Sequence, residues 1–377
     1  MVEVSVVVPV YNVEDYVGEC LESLINQTLK DIEIICINDG STDDSLKILE
    51  EYSKKDNRIK VFSQENSGLS ATRNNGIQVA EGNYIYFIDA DDFLELTALE
   101  ELLKISKKTN CDFIIFKLIN FYDNTYEKYT SNYYEMEFLK PFRNKTFHYS
   151  DIGEKIFDVA VSTPGKFFKK SLISNLKFPE GLIFEDNFFF AQAVINSDKI
   201  YFYDKHLYNR RIRDNSITTT YDIKFADTIL IINKIINLIK ENNLYDKFKI
   251  KLFDKKMISV FARFRMVDEE YQDEFFNLIK SDFKNFEKEY YEDKDFENKA
   301  DEVSKGIFKN ALTLESSKEY LYTIQLLIVN KDIEDIKENN IYLKEEIDNL
   351  KEKNESILYS NSWKATKPLR VLMNILR

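Results

Sequence analysis

The segment Tyr84-Ile85-Tyr86-Phe87-Ile88-Asp89-Ala90-Asp91-Asp92 joins five apolar or aromatic residues to three carboxylates. The apolar run predicts a buried strand. Three carboxylates within four residues repel one another unless a cation or hydrogen-bond donors compensate. Mg²⁺ typically takes one or two protein carboxylates and completes its shell with phosphate and water. The cluster alone would also suit a solvated turn or a helix cap, but its place directly after a buried strand favours a metal site.

The residues before this segment alternate short β-branched runs with helical patterns. Such alternation implies right-handed crossovers and a mostly parallel sheet with helices on both faces. The pattern predicts strands over 4–10, 33–38, 60–63 and 84–89 and helices over 14–26, 42–52 and 69–80, with Ser41 and Thr42 as candidate caps of the second helix. The fold class expected is therefore α/β.

Polar residues follow three of the predicted strands directly: Tyr11-Asn12, Asp39-Gly40-Ser41 and Asp89 to Asp92. Ligands of such sheets bind beyond the carboxyl ends of the strands, so these residues should converge on one crevice. The Asp39 carboxylate could accept from a base N–H there, although a purely structural turn explains it equally well. Arg73, in the stretch from Ser67 to Gly76, suits recognition of a phosphate or a base carbonyl.

The rest of the chain divides by pattern. We expect the sheet to be completed by residues 96–222, which with residues 1–95 form one domain over 1–222, and a helical module over 223–320. Residues 321–357 fit a coiled coil. With Ile333 at heptad position a, Ile336, Leu343, Leu350 and Ile357 fall at d, and Asn340, Ile347 and Asn354 at a. Self-association is favoured over a single surface helix.

Residues 358–377 carry Lys364, Lys367, Arg370 and Arg377 among apolar residues and contain no acid. This basic amphipathic tail could dock on an anionic membrane surface or close a dimer interface, and the pattern favours neither.

Composition excludes several classes of protein. The formal net charge of -13 over 377 residues argues against binding to a nucleic acid backbone. Three widely spaced cysteines predict reduced packing thiols rather than a disulfide or zinc framework. The chain shows no secretory signal and no apolar stretch of membrane-spanning length, so a cytoplasmic protein is expected, with a peripheral place at the inner membrane face as a hypothesis.

Four ordered motifs resemble those of the family 2 inverting glycosyltransferases with the GT-A fold, of the bacterial or archaeal surface-glycan type. The resemblance covers roughly residues 3 to 220. The motifs are Val6-Val7-Val8-Pro9-Val10-Tyr11-Asn12, Asn38-Asp39-Gly40-Ser41-Thr42-Asp43, the run from Gly68 to Gly76, and Phe87-Ile88-Asp89-Ala90-Asp91-Asp92.

The resemblance implies a role for each matching position on the donor side. Tyr11, in a loop shaped by Pro9, should lie against the nucleotide base. Asp39 should hydrogen-bond the base, commonly uracil, and Arg73 should reach the base or the diphosphate. Asp89 would approach the ribose. Asp91 would bind the Mn²⁺ or Mg²⁺ that bridges the diphosphate.

On the acceptor side, the adjacent pair Glu185-Asp186 resembles the family's acid pair, in which the Asp is usually the general base, so Asp186 is favoured over Glu185. Arg211 and Arg213 match basic positions of a loop near the donor diphosphate. His206 could be a metal ligand, as a late His is in some enzymes of this fold, but a structural role is favoured.

Together these residues predict a metal-dependent, inverting transfer of a sugar from a nucleotide sugar, with UDP expected, to a glycan or lipid-linked acceptor by single displacement. A nucleotidyltransferase is an alternative, but it usually places a Gly-rich basic loop after the first strand. Here Pro9-Val10-Tyr11-Asn12-Val13-Glu14 has neither glycine nor a basic residue. The other alternative is a non-catalytic scaffold that acts through the coiled coil.

Overall fold

The computed structural model describes residues 2–213 and 221–359. The predicted basic tail lies outside the described residues from 360 onwards. Within the described part, the strands are β1 (Val4–Val10), β2 (Ile32–Asp39), β3 (Ile59–Gln64), β4 (Tyr84–Phe87), β5 (Phe93–Leu94), β6 (Phe113–Tyr122), β7 (Lys128–Tyr129), β8 (Lys145–Phe147), β9 (Lys166–Lys169) and β10 (Ile200–Ile212).

These strands form one sheet in the order β3-β2-β1-β4-β9-β6-β10-β5, with β7 paired to β6 and β8 paired to β10. The first four strands are parallel, in the registers Val4↔Ile32, Ile34↔Ile59 and Val4↔Tyr84. Every residue of β1 and β2 is buried, as expected for parallel strands covered by helices on both faces.

The mixed character of the sheet comes from β9, which lies antiparallel between β4 and β6. Beyond it, β6 and β10 are parallel again, and β5 returns antiparallel along β10. The α/β fold class and the parallel first half are thus confirmed. The short antiparallel strands of the second half have no separate signal in the sequence, because aromatic-rich runs suit either direction.

The helices of the first half are α1 (Val17–Ile25), α2 (Ser45–Lys55) and α3 (Gly68–Val79). The predicted helix start at residue 42 was wrong by three residues. Thr42 donates its backbone N–H to Asn12 Oδ1 (2.8 Å), and Ser41 Oγ accepts from the N–H of Asn12 (3.1 Å). The two candidate caps therefore tie the β1 and β2 loops together instead of opening α2.

The remaining helices follow the fourth strand. They are α4 (Ala98–Thr109), α5 (Asn132–Glu135), α6 (Tyr149–Ile152), α7 (Lys170–Ile173), α8 (Glu185–Ile195), α9 (Asp227–Glu241), α10 (Tyr245–Phe264), α11 (Glu269–Glu292), α12 (Lys294–Lys299), α13 (Glu302–Thr313) and α14 (Ser317–Tyr359), with short 3-10 turns at Glu137–Phe142, Gly153–Asp158, Thr163–Gly165 and Ile223–Ala226.

The chain divides into two compact units, one up to Ala300 and one from Asp301. Helices α9 to α12 belong to the first unit, where α9 packs against α8. This division falls at residue 300, and the predicted module boundaries at 222 and 320 stay a prediction. Buried residues of α9 and α10 pack with Ala191 of α8 in a cluster of their own. In the second unit, α13 and the start of α14 pack together.

The long helix α14 presents a row of exposed apolar side chains. They recur at the predicted a and d positions: Leu326, Val329, Ile333, Ile336, Leu343, Ile347 and Leu350. The helical prediction for residues 321–357 is confirmed, and the association of this row with another chain stays a prediction.

Cys20, Cys36 and Cys111 are buried and free, as expected for packing thiols. None of the helices in the described ranges combines the length and apolar character that crossing a bilayer demands.

Helix α3 lies close on β1 because Gly76 has no side chain. A Cβ built at Gly76 would stand 2.3 Å from Cγ1 of Val7, which is fully buried. The close approach of this helix brings its polar residues to the carboxyl edge of the sheet.

We expect Gly76→Ala to lower the free energy of unfolding by about 1–3 kcal/mol, because overpacking outweighs the helix propensity that alanine gains. Urea unfolding should show this loss of stability. In a Val7→Ala background, Gly76→Ala should cost less stability, because the clashing methyl groups are absent. Gly18→Ala is the control, since its Cβ would meet only Tyr52 Oη at an ordinary 3.7 Å. An equal or higher stability of Gly76→Ala would contradict the proposed packing.

Candidate active site

The ends of β2 and β4 and the first turn of α8 lie at the carboxyl edge of the parallel sheet. Asp39 ends β2, Asp89 follows β4, and Glu185 and Asp186 begin α8. A helix N-terminus favours negative charge, so the acid pair is well placed there. Phe184, just before it, has a left-handed backbone (φ +64), which is uncommon for a bulky residue and typical of constrained functional loops.

The centre of this edge is the guanidinium of Arg73, whose side chain is only 2% exposed. Its Nη1 donates to Glu185 Oε1 (2.7 Å) and Asp186 Oδ1 (2.8 Å), and its Nη2 donates to Asp89 Oδ1 (2.9 Å). The ring of Phe178 lies 5.3 Å below the cation. One arginine thus joins acids that are far apart in the sequence, and we call these four residues the Arg73 cluster.

Within the protein, Arg73 binds acids: both of its Nη atoms donate to carboxylates. Its contact with a base or a diphosphate stays a prediction. Sequence spacing could not show the contacts with Glu185 and Asp186, because the acid pair lies over a hundred residues further along the chain.

One cation faces three carboxylates in the Arg73 cluster, so negative charge is in excess. Burial raises the pKa of Glu185 to about 7, and the neighbouring charge of Asp186 adds to the rise while Arg73 opposes it. Burial also raises the pKa of Asp89, again against the effect of Arg73. Near neutral pH the cluster therefore holds a proton for part of the time, and the raised pKa values favour Glu185 and Asp89 as its sites.

Asp186 is held by a residue that the sequence analysis did not single out. Thr163 donates its backbone N–H to Asp186 Oδ2 (3.0 Å) and its hydroxyl to Oδ1 (2.7 Å). With Arg73 on Oδ1, three of the roughly four lone-pair directions of this carboxylate are engaged by described residues. The remaining direction lies on Oδ2.

Asp39 anchors the start of α3. Its Oδ1 accepts from Ser67 N–H and Gln64 Nε2, and its Oδ2 from Gly68 N–H, each at 2.8 Å. The protein's own contacts of Asp39 therefore agree with the interpretation that it has a structural role in this turn. One lone pair on Oδ2 has no partner among the described residues, which is the position that a base N–H would need.

Tyr11 and Pro9 lie where the predictions placed them, at the end of β1. Pro9 is within the strand opposite Ile37, and Tyr11 follows it with 49% of its surface exposed. Asn12 adopts a left-handed backbone (φ +49) and turns the chain back toward β2. An exposed aromatic ring at this edge is free to stack on a flat ligand.

Asp91 pairs with Arg213, whose Nε donates to Asp91 Oδ2 (2.8 Å). The Asp91 side chain is 21% exposed, and its Oδ1 has no hydrogen-bond partner in the described parts of the chain. Arg213 also lies 4.9 Å above the ring of Tyr16. This pair stands at the open end of the carboxyl edge.

Arg211 is held by groups of the protein, and its place near a donor diphosphate stays a prediction. Its Nε donates to the carbonyl of Asp91 (2.8 Å), and its two Nη atoms pair with Glu19 and Asp123. The side chain is 2% exposed. Through its bond to the Asp91 carbonyl, Arg211 stabilises the loop that carries Asp91.

A divalent metal fits the oxygen donors at Asp91, because a hard cation needs few protein carboxylates when a diphosphate supplies the rest. The described residues contain no group of three or more His, Cys, Asp or Glu side chains arranged around a metal. His206 hydrogen-bonds Glu135 Oε1 (2.9 Å), beside Lys117, so the structural reading of His206 is favoured over the metal-ligand one.

Sequence reasoning also missed the buried support of the acidic loop. Asp92 accepts from the backbone N–H of Arg211 (2.6 Å) and from the hydroxyl of Tyr208. That hydroxyl also accepts from the N–H of Asp89 (3.3 Å). Asp92 matches the acidic motif, but its internal role depends on β10, which no local pattern connects to β4.

Known proteins resemble this chain in sequence and in fold. The model of the glycosyl transferase family 2 matches residues 5–168. A putative glycosyltransferase of Bacillus subtilis, EpsH, is 35% identical over 257 residues, which cover 66% of this chain and 72% of EpsH. Glycosyltransferase GlyA of Streptococcus pneumoniae is 34% identical over 239 residues, 60% of this chain, and the match spans only 33% of GlyA.

Among solved structures, residues 1–349 of TarS from S. aureus, crystallised with UDP-GlcNAc, superpose with a TM-score of 0.65. The likeness covers 87% of this chain and 92% of that one at 22% sequence identity. At this identity the comparison shows a common fold.

Replacing Arg73 by Met should destabilise the protein by about 3–5 kcal/mol near pH 8, because the buried Glu185 and the half-buried Asp89 and Asp186 lose their cation. Without Arg73 the pKa values of Asp89 and Glu185 rise further above their ordinary values. Acids with raised pKa values destabilise the fold as pH rises, so the loss should shrink toward pH 5, where these acids are protonated in the folded state.

Urea unfolding at pH 5 and pH 8 checks this expectation. Arg58→Met is the control, because Arg58 pairs with Asp56 outside the Arg73 cluster and the pKa of Asp56 is lowered. Its smaller effect should be nearly the same at both pH values. An equal loss of stability at pH 5 and pH 8 for Arg73→Met would show that the excess charge is compensated elsewhere.

Proposed function

Because the chain belongs to glycosyltransferase family 2, we propose that it transfers a sugar from a UDP-sugar to a hydroxyl of a glycan or lipid-linked acceptor, with inversion at the anomeric carbon. The main support for this proposal is the Arg73 cluster. It holds Asp186 at the carboxyl edge of the sheet and leaves one lone pair on Asp186 Oδ2 open. The chain is a glycosyltransferase; the donor, the metal and the residue roles are the proposal.

Asp186 is the proposed general base. A base must accept the hydroxyl proton within hydrogen-bond distance while the hydroxyl oxygen attacks. The two bonds from Thr163 and the one from Arg73 fix the carboxylate, and the open direction on Oδ2 receives the acceptor hydroxyl. The preference over Glu185 rests on exposure and charge: the Glu185 side chain is 11% exposed against 20% for Asp186, and burial raises the pKa of Glu185 to about 7, so part of it is protonated at neutral pH.

Tyr11 and Asp39 are proposed to bind the nucleotide base. The exposed ring of Tyr11 offers a stacking surface, and the open lone pair of Asp39 can accept the N3–H of uracil. The UDP-GlcNAc named with TarS supports a uridine nucleotide, since the two proteins share a fold. Asp89, which is 37% exposed and two residues before Asp91, is proposed to approach the ribose.

Asp91 is proposed to hold Mn²⁺ or Mg²⁺, with Arg213 beside it. When bound, such an ion stabilises the charge of the departing diphosphate. Arg213 adds a second positive charge beside Asp91. The hydrogen bonds of Arg211 to Asp92 and to the Asp91 carbonyl stabilise the loop that carries Asp91. The reaction then needs one displacement, with Asp186 accepting a proton on the acceptor side.

The exposed row on α14 is proposed to bind a second copy of this chain as a parallel coiled coil. The apolar row continues over the heptads from Leu326 to Leu350, interrupted at position a only by the exposed Asn340, which favours a dimer in one register. In a parallel pair, g-position acids face e-position lysines of the partner, Asp332 with Lys337 and Glu346 with Lys351. An antiparallel pair would set the e-position lysines against one another.

The tail over 358–377 adds a proposal from sequence alone, that the enzyme works at the inner face of a membrane. Deletion of residues 360–377 should then release the protein from vesicles that contain anionic lipid.

Transfer should be tested with a panel of UDP-, GDP- and dTDP-sugars with Mn²⁺ or Mg²⁺. We expect one UDP-sugar to bind and to be hydrolysed slowly. Asp91→Asn should weaken metal-dependent donor binding at least about tenfold, since it removes the charge that holds the ion. Asp186→Asn should bind the donor normally, but its turnover rate should fall by at least about a hundredfold, as expected for loss of a general base.

Asp198→Asn, an exposed acid away from the edge, is the matched control and should leave both quantities unchanged. If Asp186→Asn keeps full turnover and Glu185→Gln loses it, Glu185 and not Asp186 is the general base. The absence of binding by any nucleotide sugar with metal present would overturn the donor proposal.

The coiled coil should be tested by light scattering and by a cysteine at a d position. In the parallel register, Leu343→Cys should form a disulfide-linked dimer on mild oxidation, because equal d positions face each other. Glu338→Cys, at an outward f position, should not. A monomeric mass for the native chain would contradict the proposal.

A further inference from the structure

Lys166, at the start of β9, is a buried cation that the proposed mechanism does not use. Its side chain is 1% exposed, and its ammonium donates to the carbonyl oxygens of Ala160 and Ser162 (2.9 Å for Ser162). The ring of Phe190 lies 5.2 Å away. No carboxylate is in ion-pair distance of Lys166 among the described residues.

A buried ammonium that faces only carbonyl groups is unfavourable, because desolvation penalises its charge. Burial lowers the pKa of Lys166 to about 7, and the charge of Asp186 acts in the opposite direction. The charge of Asp186 therefore acts on Lys166 although the two side chains form no ion pair. Buried charges of this kind are concentrated at functional sites.

The carbonyls that Lys166 binds belong to the segment Ala160–Thr163, which leads directly to the base. Val161 donates its N–H to Tyr133 Oη (2.9 Å), and Thr163 donates its N–H and hydroxyl to Asp186. The segment thus has a fixed polar contact at every residue from 160 to 163. Lys166 supplies two of these contacts, one on each side of Val161.

We propose that Lys166 is a positioning residue for sugar transfer: it holds the Ala160 and Ser162 carbonyls so that Thr163 meets Asp186 in the orientation that leaves one Oδ2 lone pair open. The proposal rests on the proposed role of Asp186 as base. Lys166 does not contact the substrates, and its effect passes through Thr163.

The geometry explains why such support is needed. Thr163 binds both oxygens of Asp186, so a shift of the segment would turn the carboxylate plane and aim the open lone pair away from the acceptor hydroxyl. Misplacement of a reacting group by about 1 Å can reduce the rate by about a hundredfold. Donor binding at Tyr11, Asp39 and Asp91 depends on other loops and should not change.

The test is a double-mutant cycle of Lys166→Met and Thr163→Val, read as kcat, donor KM and acceptor KM with the donor found above. Each single variant should lower kcat about 10- to 100-fold with donor KM and donor affinity nearly unchanged. The double variant should be no slower than the slower single variant, because both changes remove one chain of contacts.

Lys166→Gln, which keeps an N–H donor on a shorter side chain, should recover part of kcat. It also keeps the test decisive if Lys166→Met does not fold. Lys256→Met is the matched control, a buried lysine in α10 that pairs with Asp282. It should reduce stability to a similar extent and leave kcat intact.

Two outcomes would overturn the proposal: unchanged kcat in folded Lys166→Met, or multiplicative losses in the double variant. Either result would leave the proposed function standing, because native turnover and the Asp186→Asn result test that separately. A native chain that transfers no sugar would refute the proposed function itself.

Discussion

The site depends on one charge interaction, the buried guanidinium of Arg73 between three carboxylates. A buried arginine alone would be strongly unfavourable, and so would three adjacent acids alone. Together they are mutually stabilising, and they join α3, the loop after β4 and the first turn of α8. Removing the cation would leave the acids to repel one another, so the position of each acid depends on it.

The sheet provides the place where this interaction forms. Parallel strands β2 and β4 end at one edge, and Gly76 lets α3, which carries Arg73, lie close on β1 between them. Antiparallel β9 then carries Lys166 and follows the turn of Thr163, whose contacts fix the carboxylate of Asp186. The excess negative charge suits a centre that binds cations and accepts a proton.

Each acid has a distinct environment although all are carboxylates. Glu185 is the most enclosed and its pKa is raised to about 7, Asp186 is fixed with one open direction, and Asp91 is 21% exposed and pairs with Arg213. Burial and partners, not residue type, make these carboxylates different, and the roles proposed for them follow from those differences. The same argument distinguishes Arg213, which stands at the open edge, from Arg211, which is enclosed.

The amino-acid sequence by itself determined the parallel half of the sheet, the edge at which Tyr11, Asp39 and Asp91 lie, and the long helix after residue 317. These follow from local periodicity and from strands that end in polar residues. Only the tertiary structure decided what Arg73 and Arg211 bind, that Thr163 holds Asp186, and that Lys166 stands behind it. Those partners are separated by up to almost two hundred residues, and a long side chain chooses among acids by distance and burial, which no local pattern contains.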